Sequence, residues 1–155
     1  MAVSGKLVIG LGNPIVSDDG VGIFAARELE KQLPEDAEVA VEEASLAGFN
    51  LLDLMLGYKE VVIIDSIKTR HGKVGDVYEF TPENLVDTIR LASVHDINLV
   101  TALEFGKMMK MDIPEKIIIF VIEIEDNTNI KEGCCEEVEA AIPKVLERVK
   151  EVLGM

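Results

Sequence analysis

Lys6-Leu7-Val8-Ile9-Gly10-Leu11-Gly12-Asn13-Pro14, leading into Ser17-Asp18-Asp19-Gly20-Val21-Gly22, is the stretch on which the fold turns. Its apolar half, Leu7 to Leu11, reads as a buried strand ending in a Gly-x-Gly turn. Behind the turn, from about Asp19 to Leu33, the positions Val21, Phe24, Ala25 and Leu29 recur at helical spacing, and Pro34 closes the helix. Strand, glycine turn and helix form the opening unit of an α/β order. Ile15 stands where the dinucleotide fingerprint needs its third glycine, so the turn does not carry that motif.

The alternation continues outward. Glu38 to Glu42 alternates acid and apolar residues, as a half-buried strand does. Phe49 to Leu56 reads as a short helix ending at Gly57, and Val61-Val62-Ile63-Ile64 is the clearest central strand, expected to stop at Asp65. A polar loop, Lys68 to Lys73, then leads to a strand from Val74 to Phe80. The shortness of that loop predicts that the two strands are antiparallel neighbours. Thr81-Pro82-Glu83 looks like a cap with proline in a first helical turn, and Ser93 is an N-cap candidate with Asp96 three residues on. The helix that follows carries Leu99, Ala102 and Leu103 on one face. Lys116 to Ile124 is the last strand. A final helix to about Leu153 has Val138, Ile142, Val145, Val149 and Val152 on its buried stripe, and Pro143 kinks or restarts it. Together these predict one domain, residues 1–155, built as a three-layer α/β sandwich with a mixed, mostly parallel sheet of about five strands flanked by helices.

Composition narrows the function. The chain has 155 residues, 48% of them hydrophobic, with a mean hydropathy of +0.25, which suits one folded core and excludes a disordered chain. Its 15 basic and 29 acidic side chains leave a net charge of -14, which repels nucleic acid and anionic bilayers. The best basic cluster, Lys68, Arg70 and Lys73, reads as a solvated loop. No signal peptide is expected at the N-terminus, and the longest apolar run, Ile117 to Ile122, is far short of the roughly 20 residues of a membrane span. Cys134 and Cys135 are neighbours and build no disulfide framework, so a reduced, cytoplasmic protein is expected.

In an open α/β sheet, reactive groups gather beyond the carboxyl ends of the parallel strands. Asp18-Asp19 follows the first strand, Asp65 ends the central one, and His95 lies at the mouth of a helix. Two carboxylates and an imidazole with open positions make a divalent-metal site. Each has a plainer reading. One of Asp18 and Asp19 could cap the helix behind it, although a cap needs only one acid. His71, between Arg70 and Gly72, is a loop histidine, and the vicinal cysteines are small residues opening the last helix. Composition allows a Ser-His-Asp triad, but no serine sits in a diagnostic turn, and no P-loop or Cys-x-x-Cys is present.

Gly10-x-Gly12-Asn13-Pro14, then Asp18-Asp19-Gly20-x-Gly22, Ile63-Ile64-Asp65, and Ser93-x-His95 with Leu99 downstream, resembles the maturation endopeptidases of nickel–iron (NiFe) hydrogenases. The likeness is collinear and covers nearly the whole chain, including the Ala47-Gly48 turn and the last helix with Pro143. It implies a phosphorylase/hydrolase-like sandwich and an enzyme that removes a short C-terminal extension from the hydrogenase large-subunit precursor after nickel insertion. It implies that Asp19, Asp65 and His95 contact the nickel, the residues that strand-end logic selects. On that resemblance the metal would arrive with the substrate and lie beside the scissile peptide, able to polarise the carbonyl or activate a water. Asp19 is also the candidate general base, leaving the endopeptidase aspartyl-type or metal-assisted. Glu43 falls where relatives often carry an aspartate linked to substrate choice, one methylene shorter. Nothing carries over to Cys134 and Cys135. No organic cofactor, nucleic acid or membrane partner is implied, and a monomer is expected.

Two rivals stand beside this reading. A peptidyl-tRNA hydrolase can share Gly-Leu-Gly-Asn-Pro, but here no histidine precedes His71 and the charge opposes a tRNA substrate. A non-enzymatic nickel-binding accessory protein would use the same ligands and cleave nothing.

Overall fold

The apolar runs build the sheet. A computed structural model describes residues 5–13, 15, 17–45, 49–69, 71–87, 94–125 and 133–155. Strands β1 (Lys6–Leu11), β2 (Val39–Ala44), β3 (Glu60–Ile67), β4 (Val77–Phe80) and β5 (Lys116–Glu123) lie in the order β2-β1-β3-β5-β4. The first four in that order run parallel, and β4 is antiparallel to β5. Helices α1 (Val21–Gln32), α2 (Phe49–Met55), α3 (Pro82–Asp87), α4 (Val94–Met108) and α5 (Glu136–Leu153) connect or follow the strands. This is the mixed, mostly parallel five-stranded α/β sheet that the alternation predicts.

Strand parity divides the core in two. Leu7, Ile9, Leu11 and Ile63 pack with Leu51, Leu52 and Met55 of α2 and Leu99, Ala102 and Leu103 of α4. Val8, Val62, Ile64, Phe120 and Ile122 face the other way, onto Val21, Ala25 and Leu29 of α1 and Val138, Val145 and Val149 of α5. Burying the Val, Leu, Ile, Phe and Met side chains among them contributes about 1.5–3 kcal/mol each.

Three expectations need correction. First, β3 and β4 are antiparallel but not neighbours, because β5 lies between them. The apolar run of β5 is buried on both faces and so takes an interior place, whereas every residue of β4 keeps some exposure, as an edge tolerates. The loop between β3 and β4 skips a strand by crossing the end of β5: Gly75 N donates to Glu123 O at 2.9 Å and Glu123 N to Asp76 O at 2.8 Å. Second, that crossing delays β4 until Val77, with Gly75 at φ +94° just ahead of it. Third, β3 continues past Asp65 to Ile67, since β5 still pairs with it through Asp65–Val121, Ser66–Ile122 and Ile67–Glu123. Pro143 neither ends nor restarts α5, and its ring sits on the exposed side. Thr81 does cap α3, accepting a bond from Asn84 N at 3.3 Å, while Ser93 and the Ala47-Gly48 turn lie outside the described residues.

Candidate active site

From β1 the chain crosses to β2 on one side, and from β2 it returns to β3 on the other. Such a reversal, here at the carboxyl ends of β1 and β3, is where sheets of this kind generally place their ligand crevice. Helices α1 and α5 follow strands that run toward this end, so their N-termini meet there. The far end of α4, through Leu103 and Lys107, lines one cavity with Ile117 and Ile118 at the start of β5. Its first turn, with His95, is therefore directed toward the carboxyl end of the sheet.

Glycines bring α1 down onto this crevice. A Cβ on Gly22 would run into the carbonyl oxygens of Leu11 and Ile64, and one on Gly10 into Gly22 and Ala26. Their absence lets the first turn of α1 press against β1 and β3. Gly12, at φ +145°, turns the chain beneath Asp19, and Asn13 N donates to Asp19 O at 3.3 Å.

Asp19, half-buried, is thereby delivered to β3. Its Oδ1 accepts a hydrogen bond from Ser66 Oγ at 3.1 Å. Asp65 is fully buried, and its Oδ1 accepts one from Ser66 N at 2.7 Å. Parity puts Asp65 on the α2/α4 face with Ile63, and Ser66 on the α1/α5 face with Ile64. One residue thus ties both candidate carboxylates. The side chain of His95 is outside the described set, so its approach to them is not part of this geometry; among the described residues no group of three His, Cys, Asp or Glu could hold a metal ion.

The acidic pair divides its work. Neither acid caps α1, whose N-cap is Gly20 with no side-chain bond. Asp18, 1% exposed, reaches across to the N-terminus of α5 instead. Its Oδ1 accepts from Cys135 N at 2.8 Å and its Oδ2 from Cys135 Sγ at 3.5 Å. Cys135 is the N-cap residue of α5 and makes no side-chain cap bond itself, so the carboxylate of Asp18 serves as the cap from elsewhere in the chain. Both cysteines are free and open the last helix, as their small size suggests. Burial, then the charge of Asp18, pushes the Cys134 thiol up to about 12, and burial likewise raises Cys135. Protonated thiols are poor metal ligands at neutral pH.

Glu43 lies one residue from the end of β2, beside Gly10 in the register. It makes a bidentate pair with Arg27 of α1, at 2.9 Å for each bond. Sequence reasoning missed two polar anchors. One is Ser66, whose only sequence signal is a hydroxyl directly after a strand-end acid. The other is Glu123, 1% exposed, which accepts from Thr69 N at 2.7 Å, Thr69 Oγ1 at 2.5 Å and Tyr78 OH at 3.1 Å. It pins the loop between β3 and β4, and burial followed by the bond to Glu123 raises the Tyr78 phenol above its ordinary range.

A family model described as hydrogenase maturation protease matches residues 23–152. The chain belongs to that family. Asp65, Glu43 and His95 fall inside the matched stretch, and Asp18 and Asp19 just before it. The chain is 27% identical over 143 residues to Protein FrxA of Pyrococcus furiosus, across 89% of this chain and 97% of that one. It is 25% identical over 146 residues to the hydrogenase 2 maturation protease of Escherichia coli, across 92% and 87%. The solved hydrogenase maturating endopeptidase HybD of Escherichia coli superposes with a TM-score of 0.81 at 25% identity, over 96% of this chain and 91% of that one. The protein is accordingly a peptidase of hydrogenase maturation, which sets aside both the tRNA hydrolase and the non-enzymatic carrier. No helix among the described residues is long and apolar enough to cross a membrane.

Proposed function

We propose that this protease removes the C-terminal extension of a NiFe hydrogenase large-subunit precursor after nickel insertion, recognising the substrate's nickel through Asp19, Asp65 and His95. The observation that carries the reading is the joining of Asp19 and Asp65 through Ser66 at the switch-point crevice, with the first turn of α4 directed to the same end. Carboxylate and imidazole donors suit a borderline divalent ion such as nickel. Contact with it would set the scissile peptide beside a Lewis acid able to polarise the carbonyl or lower the pKa of an attacking water. Asp19 is the general base, taking the proton of that water and returning it to the leaving amine. Glu43, held by Arg27 on the edge strand, contributes to substrate choice.

The net charge of -14 favours approach of a basic partner surface or a cationic centre. The proposal places a monomeric enzyme in the cytoplasm, without organic cofactor.

The test incubates the protein with nickel-loaded and nickel-free precursors from several hydrogenase classes, followed by mass spectrometry. Loss of a short C-terminal peptide from a loaded form alone is the expected result, and His95→Ala should abolish it. Cleavage of both forms would keep the peptidase and discard nickel recognition. Failure on every loaded precursor would overturn the substrate assignment.

A further inference from the structure

We propose that Ser66 is a positioning residue of this protease, holding the Asp19 carboxylate in its working orientation by a hydrogen bond from a rigid strand. The inference rests on the reading of Asp19 and Asp65 as the active carboxylates. Position 66 is locked by the ladder, pairing with Ile122 of β5, so the hydroxyl starts from a well-fixed backbone. Asp19, by contrast, sits in a short 3-10 turn (Ser17–Gly20) ahead of α1, where its carboxylate can rotate about two side-chain torsions. The 3.1 Å bond from Ser66 Oγ removes that freedom.

Packing alone does not call for a serine here. The residue is 6% exposed and lies on the face it shares with Ile64, two residues earlier in β3, beside its pairing partner Ile122. An apolar residue would satisfy that environment, whereas a buried hydroxyl is costly unless bonded. The partner that offsets the cost is Asp19. The two bonds of Ser66 are also chemically separable. Asp65 is held by the backbone N–H, which any residue but proline supplies, and Asp19 by the hydroxyl, which only serine or threonine supplies.

The experiment compares wild type, Ser66→Ala, Ser66→Thr, Asp19→Asn and the Ser66→Ala/Asp19→Asn double variant on nickel-loaded precursor, with crystal structures of the first two. Loss of one hydrogen bond to a charged group should lower kcat about 10- to 100-fold in Ser66→Ala, with KM nearly unchanged. Ser66→Thr should recover most of the rate, and the double variant should be no slower than Asp19→Asn, since both changes remove one interaction. In the Ser66→Ala crystal the Asp19 carboxylate should rotate away while the Asp65 bond to the backbone N–H of position 66 persists. Wild-type kcat in Ser66→Ala, a purely KM effect, multiplicative losses in the double variant, or an unmoved Asp19 would each overturn the proposal. If Asp19→Asn cleaves at the wild-type rate, the active-site reading fails instead, and the crystal comparison still decides whether Ser66 orients Asp19.

Discussion

Asp18→Ala should loosen α5 from the rest of the molecule without touching the apolar core. The carboxylate is buried and supplies the acceptor for Cys135 N at the start of an 18-residue helix that makes no side-chain cap of its own. A hydrogen bond to a charged group contributes about 1.5–3 kcal/mol, and an anion at a helix N-terminus about 0.3–1 kcal/mol more. Relief of repulsion from Asp19 next to it and from the acidic first turn of α5 (Glu136, Glu137, Glu139) offsets part of this. The net expectation is a destabilisation of about 2–3 kcal/mol. Asp18→Asn keeps an acceptor oxygen for Cys135 N and loses only the charge, so it should cost about 1 kcal/mol. Urea unfolding followed by circular dichroism measures both, with an unchanged m-value showing that the same surface is exposed. A loss below about 0.5 kcal/mol for Asp18→Ala, or equal losses for the two variants, would refute the cap.

Further predictions follow from the same contacts. Glu123→Gln should bring the Tyr78 phenol back toward its ordinary value of 10.0, because a neutral amide removes a charge that disfavours the phenolate; ultraviolet titration with Tyr78→Phe as reference checks it. Cys134 should react slowly with iodoacetamide at pH 8 and faster only as pH climbs toward about 12. The folded chain holds that thiol proton more tightly than the unfolded chain, so this group adds no pH dependence below its ordinary 9.0 and makes stability fall as pH rises from there toward about 12, measurable by denaturant titration. Gly22→Ala should cost about 1–3 kcal/mol or more, because its Cβ meets two strand carbonyls that cannot rotate away; a near-neutral melting temperature would show that α1 can lift freely.

What could be read from the chain was whatever local period records. Continuous apolar runs, one alternating segment and 3.6-residue spacing located five strands, because only residues turned toward a core must be apolar, though β3 was expected to stop at Asp65 and β4 to begin at Val74. The glycines at 10 and 12 signalled a turn, whereas the close approach of α1 to β1 and β3 that Gly10 and Gly22 permit emerged only in the structure. Family resemblance in ordered motifs then agreed with the matched stretch from residue 23 to 152.

Other features have no local trace. Asp18 and Asp19 are adjacent identical side chains, yet one caps α5, 117 residues away in sequence, and the other faces Ser66. Nothing in a dipeptide separates those fates; the direction of the 3-10 turn and the docking of α5 do. The place of β5 between β3 and β4 likewise depended on which strand needed cover on both faces, a competition among segments far apart in the chain. Glu123 follows the apolar run Ile117 to Ile122 with nothing local to mark it as an anchor; its buried carboxylate meets Thr69 and Tyr78 because the loop between β3 and β4 folds over it. Local sequence determined which segments are strands and helices and which faces they bury. Tertiary structure alone decided which polar groups meet, because a hydrogen bond between distant residues depends on where two backbones arrive, and no period in either segment encodes that.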